Sequence, residues 1–116
     1  MQAENRSQRI AVTGATGRVG SHLVEVLVQR GHDVVPIARS EGVDVVSGEG
    51  LDEALVGVET IIDAATGPSP DQDEATAFFA ASARNLQRAG AAAGATRIVV
   101  ASQEAEFAEV EAVITT

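Results

Sequence analysis

Val12-Thr13-Gly14-Ala15-Thr16-Gly17-Arg18-Val19-Gly20 is the stretch from which the rest of the chain can be read. It follows the apolar run Ile10-Ala11-Val12 and opens an amphipathic run from Arg18 to Arg30, giving strand, glycine turn and helix. The glycines at 14, 17 and 20 have separate physical tasks. Gly14 lets the chain turn off the strand without a Cβ clash. Gly17 leaves room for a pyrophosphate near the backbone, and Gly20 lets the helix lie close on the strand. First-turn amides have no partner within a helix, and the helix dipole is positive at that end. A dinucleotide phosphate suits such a place; a turn kept only for tight helix–strand packing is the alternative.

Outward from this turn, the chain alternates strand and helix. Arg9–Thr13 reads as a central strand buried on both faces. In the helix 18–30, Val19, Leu23, Val26 and Leu27 form the apolar stripe, Arg30 is its polar end, and Gly31 stops it. Val34–Ala38 is the second strand, which Pro36 either perturbs or leaves with a free side. Arg39-Ser40-Glu41-Gly42 turns, Val43–Ser47 reads as a short third strand, and Leu51–Val56 as a short helix. Glu59–Ala64 is the fourth strand, and residues 65–70 form an irregular loop with Gly67, Pro68 and Pro70. Asp71–Ala93 is a long helix, acidic at its start, basic toward its end and fraying at Gly90 and Gly94. Phe78 and Phe79 on it read as core or interface residues, and Thr96–Ala101 as the fifth strand.

This pattern predicts an α/β fold, a doubly wound parallel sheet with five strands in the order 3-2-1-4-5. Flavodoxin order is the alternative, but its mononucleotide site would not need this glycine spacing. Residues 1–8 read as a disordered leader, 9–102 as the domain, and 103–116 as an acidic tail. The tail reads as a helix capped by Ser102, with a short strand at 112–115 as the alternative.

Composition narrows the function. The 116 residues carry a net charge of −9 and no Lys, which argues against nucleic acid as a partner. With no Cys there is neither a disulfide framework nor a thiolate site. The polar start and the lack of a long apolar run give the expectation of a soluble, cytoplasmic protein with no membrane partner.

Several residues are candidates for chemistry. Arg39 and Ser40 stand after the second strand, where the adenosine ribose lies in this fold. An acid there accepts from a 2′-hydroxyl, whereas an Arg pairs with a 2′-phosphate, so NADP(H) is expected over NAD(H). Asp63-Ala64-Ala65-Thr66 either lets the backbone pass along a ribose or makes a tight strand–loop junction. Asn85, a poor helix former, either bonds across to a neighbouring loop or faces water. Ser102 could orient a substrate carbonyl or cap a helix. His22 and His32 read as surface residues without a metal partner.

Thr13–Gly20 resembles the atypical and extended short-chain dehydrogenase/reductases, especially the NmrA-like NAD(P)H-binding group. Gly42-Val43-Asp44, Gly48–Leu51, Glu53–Val58 and Ser82-Ala83-Arg84-Asn85-Leu86 resemble further pieces of that group. The resemblance implies a Rossmann fold and a nicotinamide cofactor. Carried over by position, Gly14, Thr16, Gly17, Arg18, Val19 and Gly20 belong to the pyrophosphate turn. Arg39 and Ser40 would then meet the adenosine end, Ala64, Ala65 and Thr66 the ribose, and Ser102 would be a candidate catalytic residue. Catalytic members carry a YxxxK pair, and this chain has neither Tyr nor Lys. Members also run to twice this length or more, and the motif likeness is expected to stop near Ser102. Three functions follow: a dinucleotide-binding domain of an oxidoreductase, a non-catalytic NAD(P)H-sensing module, or a truncated inactive product. The edge of the fifth strand is the expected route to a homo-oligomer.

Overall fold

The computed structural model describes residues 8–64 and 72–100. The leader before Gln8, the loop 65–70 and the tail, with Ala65, Thr66 and Ser102, lie outside the described residues. In chain order the elements are β1 (Arg9–Thr13), α1 (Arg18–Gln29), β2 (Asp33–Ile37), a single 3-10 turn (Arg39–Glu41), α2 (Leu51–Ala54), β3 (Thr60–Asp63), α3 (Gln72–Ala93) and β4 (Arg97–Val100).

All strand pairs are parallel, and the sheet order is β2-β1-β3-β4. Side-chain alternation in β1 divides the core in two. Ile10 and Val12 pack with Ile62, Leu23 and Leu27 under α1. Ala11 faces the other way, toward Ile61, Leu51, Leu55, Leu86 and Ala89 on the α2–α3 side. That is the doubly wound, three-layer architecture. A 12-residue helix such as α1 is marginal alone; burying Leu23 and Leu27 contributes about 1.5–3 kcal/mol each. Its end is a Schellman closure. Gly31 adopts a φ of 86°, its N–H donates to Val28 O, and the His32 N–H donates to Leu27 O.

The five-strand expectation is corrected in one place. Residues 43–47 are not a strand, so the described sheet has four strands in the expected order with the third missing. Local chemistry wins there. Asp44 Oδ1 accepts from Val46 N–H at 2.9 Å, and Gly48 N–H donates to Asp44 O at 2.7 Å, closing a side-chain-supported turn. The neighbouring edge also offers a poor template, because Pro36 in β2 has no N–H to donate. The free-side reading of Pro36 therefore holds: β2 is an edge strand of the described sheet.

Two smaller expectations also change. Gly90 does not fray; it is buried within α3, and a Cβ there would stand 3.0 Å from Ile61 Cδ1. Helix α3 ends instead at Gly94, with a φ of 87° and the Ala95 N–H donating to Gly90 O at 2.9 Å. Neither Phe78 nor Phe79 joins either hydrophobic cluster. They meet each other edge-to-face at 5.3 Å, with Phe79 45% exposed.

Candidate functional site

The carboxyl ends of β1, β2 and β3 lie side by side, and the glycine turn leaves β1 at this edge. Gly14 takes a φ of 63°, in the left-handed region. Its carbonyl accepts from the Gly17 N–H at 3.0 Å. Gly17 is the N-cap of α1 and has no side chain to bond to the first-turn amides; no acidic residue stands in that turn either. Among the described residues, neither a side-chain cap nor a first-turn carboxylate offsets the positive end of the α1 dipole, which favours binding a ligand's anion there. Gly20 explains the third glycine. A Cβ at this position would lie 2.0 Å from Gly14 O and 2.7 Å from Gly14 C.

In front of this turn is a cleft of about 700 Å³, within the range of small-molecule and cofactor sites. Gly14, Thr16, Gly17, Arg18 and Val19 line it from the turn and α1. Arg39 and Ser40 line it from beyond β2, and Ala64 from beyond β3. Of the cofactor-binding candidates within the described residues, the cleft gathers all except Gly20, which is buried beneath the turn; Asp63, Asn85, His22 and His32 do not line it. Its cationic lining residues are Arg18 and Arg39, with Asp44 as the anionic one.

Sequence reasoning missed one wall. Val43, Asp44, Val45 and Val46 line the cleft beside Arg39, and Phe78 lines it from α3. The strand reading of 43–47 hid the first group. Asp44, with Gly48 four residues on, was the available turn signal. Asn85 resolves to the first of its two readings: its Nδ2 donates to Val45 O at 3.0 Å and to Val46 O at 2.7 Å.

At the inner end of the cleft, Thr13 Oγ1 donates to Asp63 Oδ1 and accepts from the Ala64 N–H, tying the ends of β1 and β3. His32 stands at the opposite edge of the sheet. Its Nδ1 accepts from the Gln8 N–H at 3.1 Å, and burial, reinforced by Arg30, lowers its pKa. Among the described residues no cluster of His, Cys, Asp and Glu could hold a metal ion, and no helix is long and apolar enough to cross a membrane.

A model of the NAD dependent epimerase/dehydratase family matches residues 10–115. The match runs past Ser102, so the likeness does not stop there as the motifs alone led one to expect. L-arabinose 1-dehydrogenase (NAD(P)(+)) from Haloferax volcanii is 37% identical over 103 residues, which cover 81% of this chain and 40% of that protein. A short-chain dehydrogenase/reductase superfamily protein from Agrobacterium tumefaciens, solved with bound NAD, is 31% identical with a TM-score of 0.64. The match covers 81% of this chain and 32% of that one. UDP-N-acetylglucosamine 4-epimerase from Bacillus cereus is 29% identical with a TM-score of 0.68, covering 83% and 40% respectively. The chain spans less than half the length of the curated relatives it matches.

Proposed function

The chain belongs to the NAD dependent epimerase/dehydratase family, and from that premise we propose that it is the cofactor-binding part of an oxidoreductase that uses NADP(H) in preference to NAD(H). The observation that carries this reading is the uncapped N-terminus of α1 behind the glycine turn, opening into the cleft. The residues suit a dinucleotide. Gly17 presents no side chain where the diphosphate would approach, and the first-turn amides of α1 supply donors. Arg39 would pair with a 2′-phosphate, and Arg18, the second cation of the lining, adds to the same field. Ala64, small and at the end of β3, would let the ribose lie against the backbone, with Ala65 and Thr66 following it.

When bound, the nicotinamide supplies a hydride donor or acceptor; the chain's own part is to hold the dinucleotide in register with a substrate. Ser102 is proposed to orient a substrate carbonyl. The resembled motifs support a place near the NmrA-like group, and a cytoplasmic setting is proposed with it. Ile98, 40% exposed on β4, supports self-association through that edge, which sedimentation of the purified chain would test against a monomer.

A second reading has its own observation. The 116 residues contain no Tyr and no Lys, so they hold no YxxxK pair to move a proton onto or off a substrate oxygen. A module that binds NAD(P)H and changes partner would need none. Calorimetric titration of the chain with NADPH and with NADH tests the shared core of both readings. NADPH binding more tightly than NADH is the expected result. No binding of either by a chain that still unfolds cooperatively would overturn both. Oxidation of bound NADPH by a carbonyl substrate would then separate the enzyme from the sensor.

A further inference from the structure

The wall of the cleft beside Arg39 is made of backbone that no sheet holds. Residues 43–50 pair with no strand, and their hydrogen bonds are largely internal to the loop: Asp44 N–H to Glu49 O at 2.9 Å, Gly48 N–H to Asp44 O at 2.7 Å, and Val46 N–H to Asp44 Oδ1 at 2.9 Å. Such a turn can keep its own shape and still shift as a unit. Buried Val43 anchors one end, and Leu51, where α2 begins, anchors the other.

Between these anchors the loop is tied to α3 by Asn85. Its carboxamide bonds two successive carbonyls, Val45 O at 3.0 Å and Val46 O at 2.7 Å. Both residues line the cleft. One turn along α3, Arg88 also reaches this region, pairing with Asp52 at 3.7 Å. That pair is largely exposed, so its hold is weak. Asn costs a helix stability wherever it stands in the interior, and here its two bonds go to a wall of the cleft rather than to its own helix.

We propose that Asn85 is a positioning residue for the adenosine half of the dinucleotide: it fixes the Val45–Val46 backbone beside Arg39 where the base and ribose must lie. The inference rests on the cofactor reading above and adds the device that shapes that end of the site. Without the amide, the wall samples displaced positions, and apparent affinity falls by the fraction of time it is out of place.

The test is NADPH titration together with residue-resolved hydrogen exchange on the full chain, wild type against Asn85→Asp. The Asp variant keeps the shape, removes both donors and sets a carboxylate against two carbonyls. Asn85→Leu is the second variant, should the first fail to fold. The expected result is NADPH affinity weakened about tenfold. Exchange at the Val46 and Ser47 amides should become faster without ligand, while exchange in β1 and α1 stays unchanged. Saturating NADPH should restore protection to the loop. Unchanged affinity overturns the proposal. So does weakened affinity accompanied by equal acceleration across β1 and α1, the mark of a general loss of structure. Failure of the wild type to bind NADPH overturns the cofactor reading itself, and this inference with it.

Discussion

Thr13 Oγ1 donates a 2.6 Å hydrogen bond to Asp63 Oδ1 while accepting a 3.1 Å bond from the Ala64 N–H. The two strands are paired through Thr13 and Asp63, the last rung of their ladder. Beyond it the chains part, β1 into the glycine turn and β3 past Ala64. The Thr13 hydroxyl extends the ladder by one side-chain rung and so sets the separation of two segments that line the cleft. Thr13 is fully buried, so Thr13→Val would keep the shape and strand the Ala64 amide. The expected loss is about 1–3 kcal/mol, read from urea unfolding. Thr13→Ser, which keeps the hydroxyl, should recover most of it; equal losses in the two variants would count against the rung.

Gly20 lies in the first turn of α1 and Gly31 just past its end, and their substitution by Ala separates two kinds of glycine requirement. A Cβ at Gly20 would sit 2.0 Å from the Gly14 carbonyl oxygen, a backbone atom that moves only if the turn moves. A Cβ at Gly31 would meet nothing within 4 Å, and only its φ of 86° is unfavourable. Gly31→Ala is expected to cost about 1 kcal/mol. Gly20→Ala should cost about 3 kcal/mol or more, or open the turn and abolish dinucleotide binding. Unfolding midpoints of the two variants check the order, which a small effect at Gly20 would reverse.

These glycines show why much of the fold was legible in the sequence. A positive φ or a close backbone approach is a local demand that only one residue type meets, so Gly14, Gly20 and Gly31 announced strand end, helix packing and helix stop by themselves. The apolar runs of β1, β3 and β4 were equally plain. Residues 43–47 were not, because Val-Asp-Val-Val carries strand propensity while its conformation depends on a side-chain bond from Asp44, an edge without a donor at Pro36, and a carboxamide 40 positions away in the chain. Propensity cannot register a partner that distant. Of the two readings of Phe78, the core one fails for a related reason: periodicity places it on α3 but does not say that it lines a cleft instead of joining a hydrophobic cluster.

Arg39 is exposed at the cleft and, among the described residues, pairs with no carboxylate by side-chain hydrogen bond or ion pair. If it reads a 2′-phosphate, Arg39→Ala should weaken NADPH about 10- to 100-fold, the range of a charge-assisted pair, and leave NADH nearly unchanged. Added salt should weaken NADPH binding by the wild type more than by the variant, because the lost interaction is the screened one. Parallel losses for both cofactors would assign Arg39 to the common part of the dinucleotide instead.

His32 gives the fold a pH dependence at the edge of the sheet away from the cleft. Its Nδ1 accepts from the Gln8 N–H at 3.1 Å, a bond that a protonated imidazole cannot accept. Burial, and secondarily the charge of Arg30, hold its pKa below the ordinary 6.5. The neutral ring is therefore the form the folded chain prefers. Above the unfolded value both states are neutral, and the contribution is fully favourable. As pH falls below about 6.5 the unfolded chain takes up a proton that the folded chain still resists, so stability declines until the folded value is also passed. His32→Asn offers an acceptor that does not titrate. Urea midpoints followed from about pH 7.5 to about pH 5 should fall more steeply for the wild type than for His32→Asn, with the curves parting below about pH 6.5. Parallel curves over that range would mean that carboxylates elsewhere govern the acid limb and that the Gln8 contact contributes nothing to it.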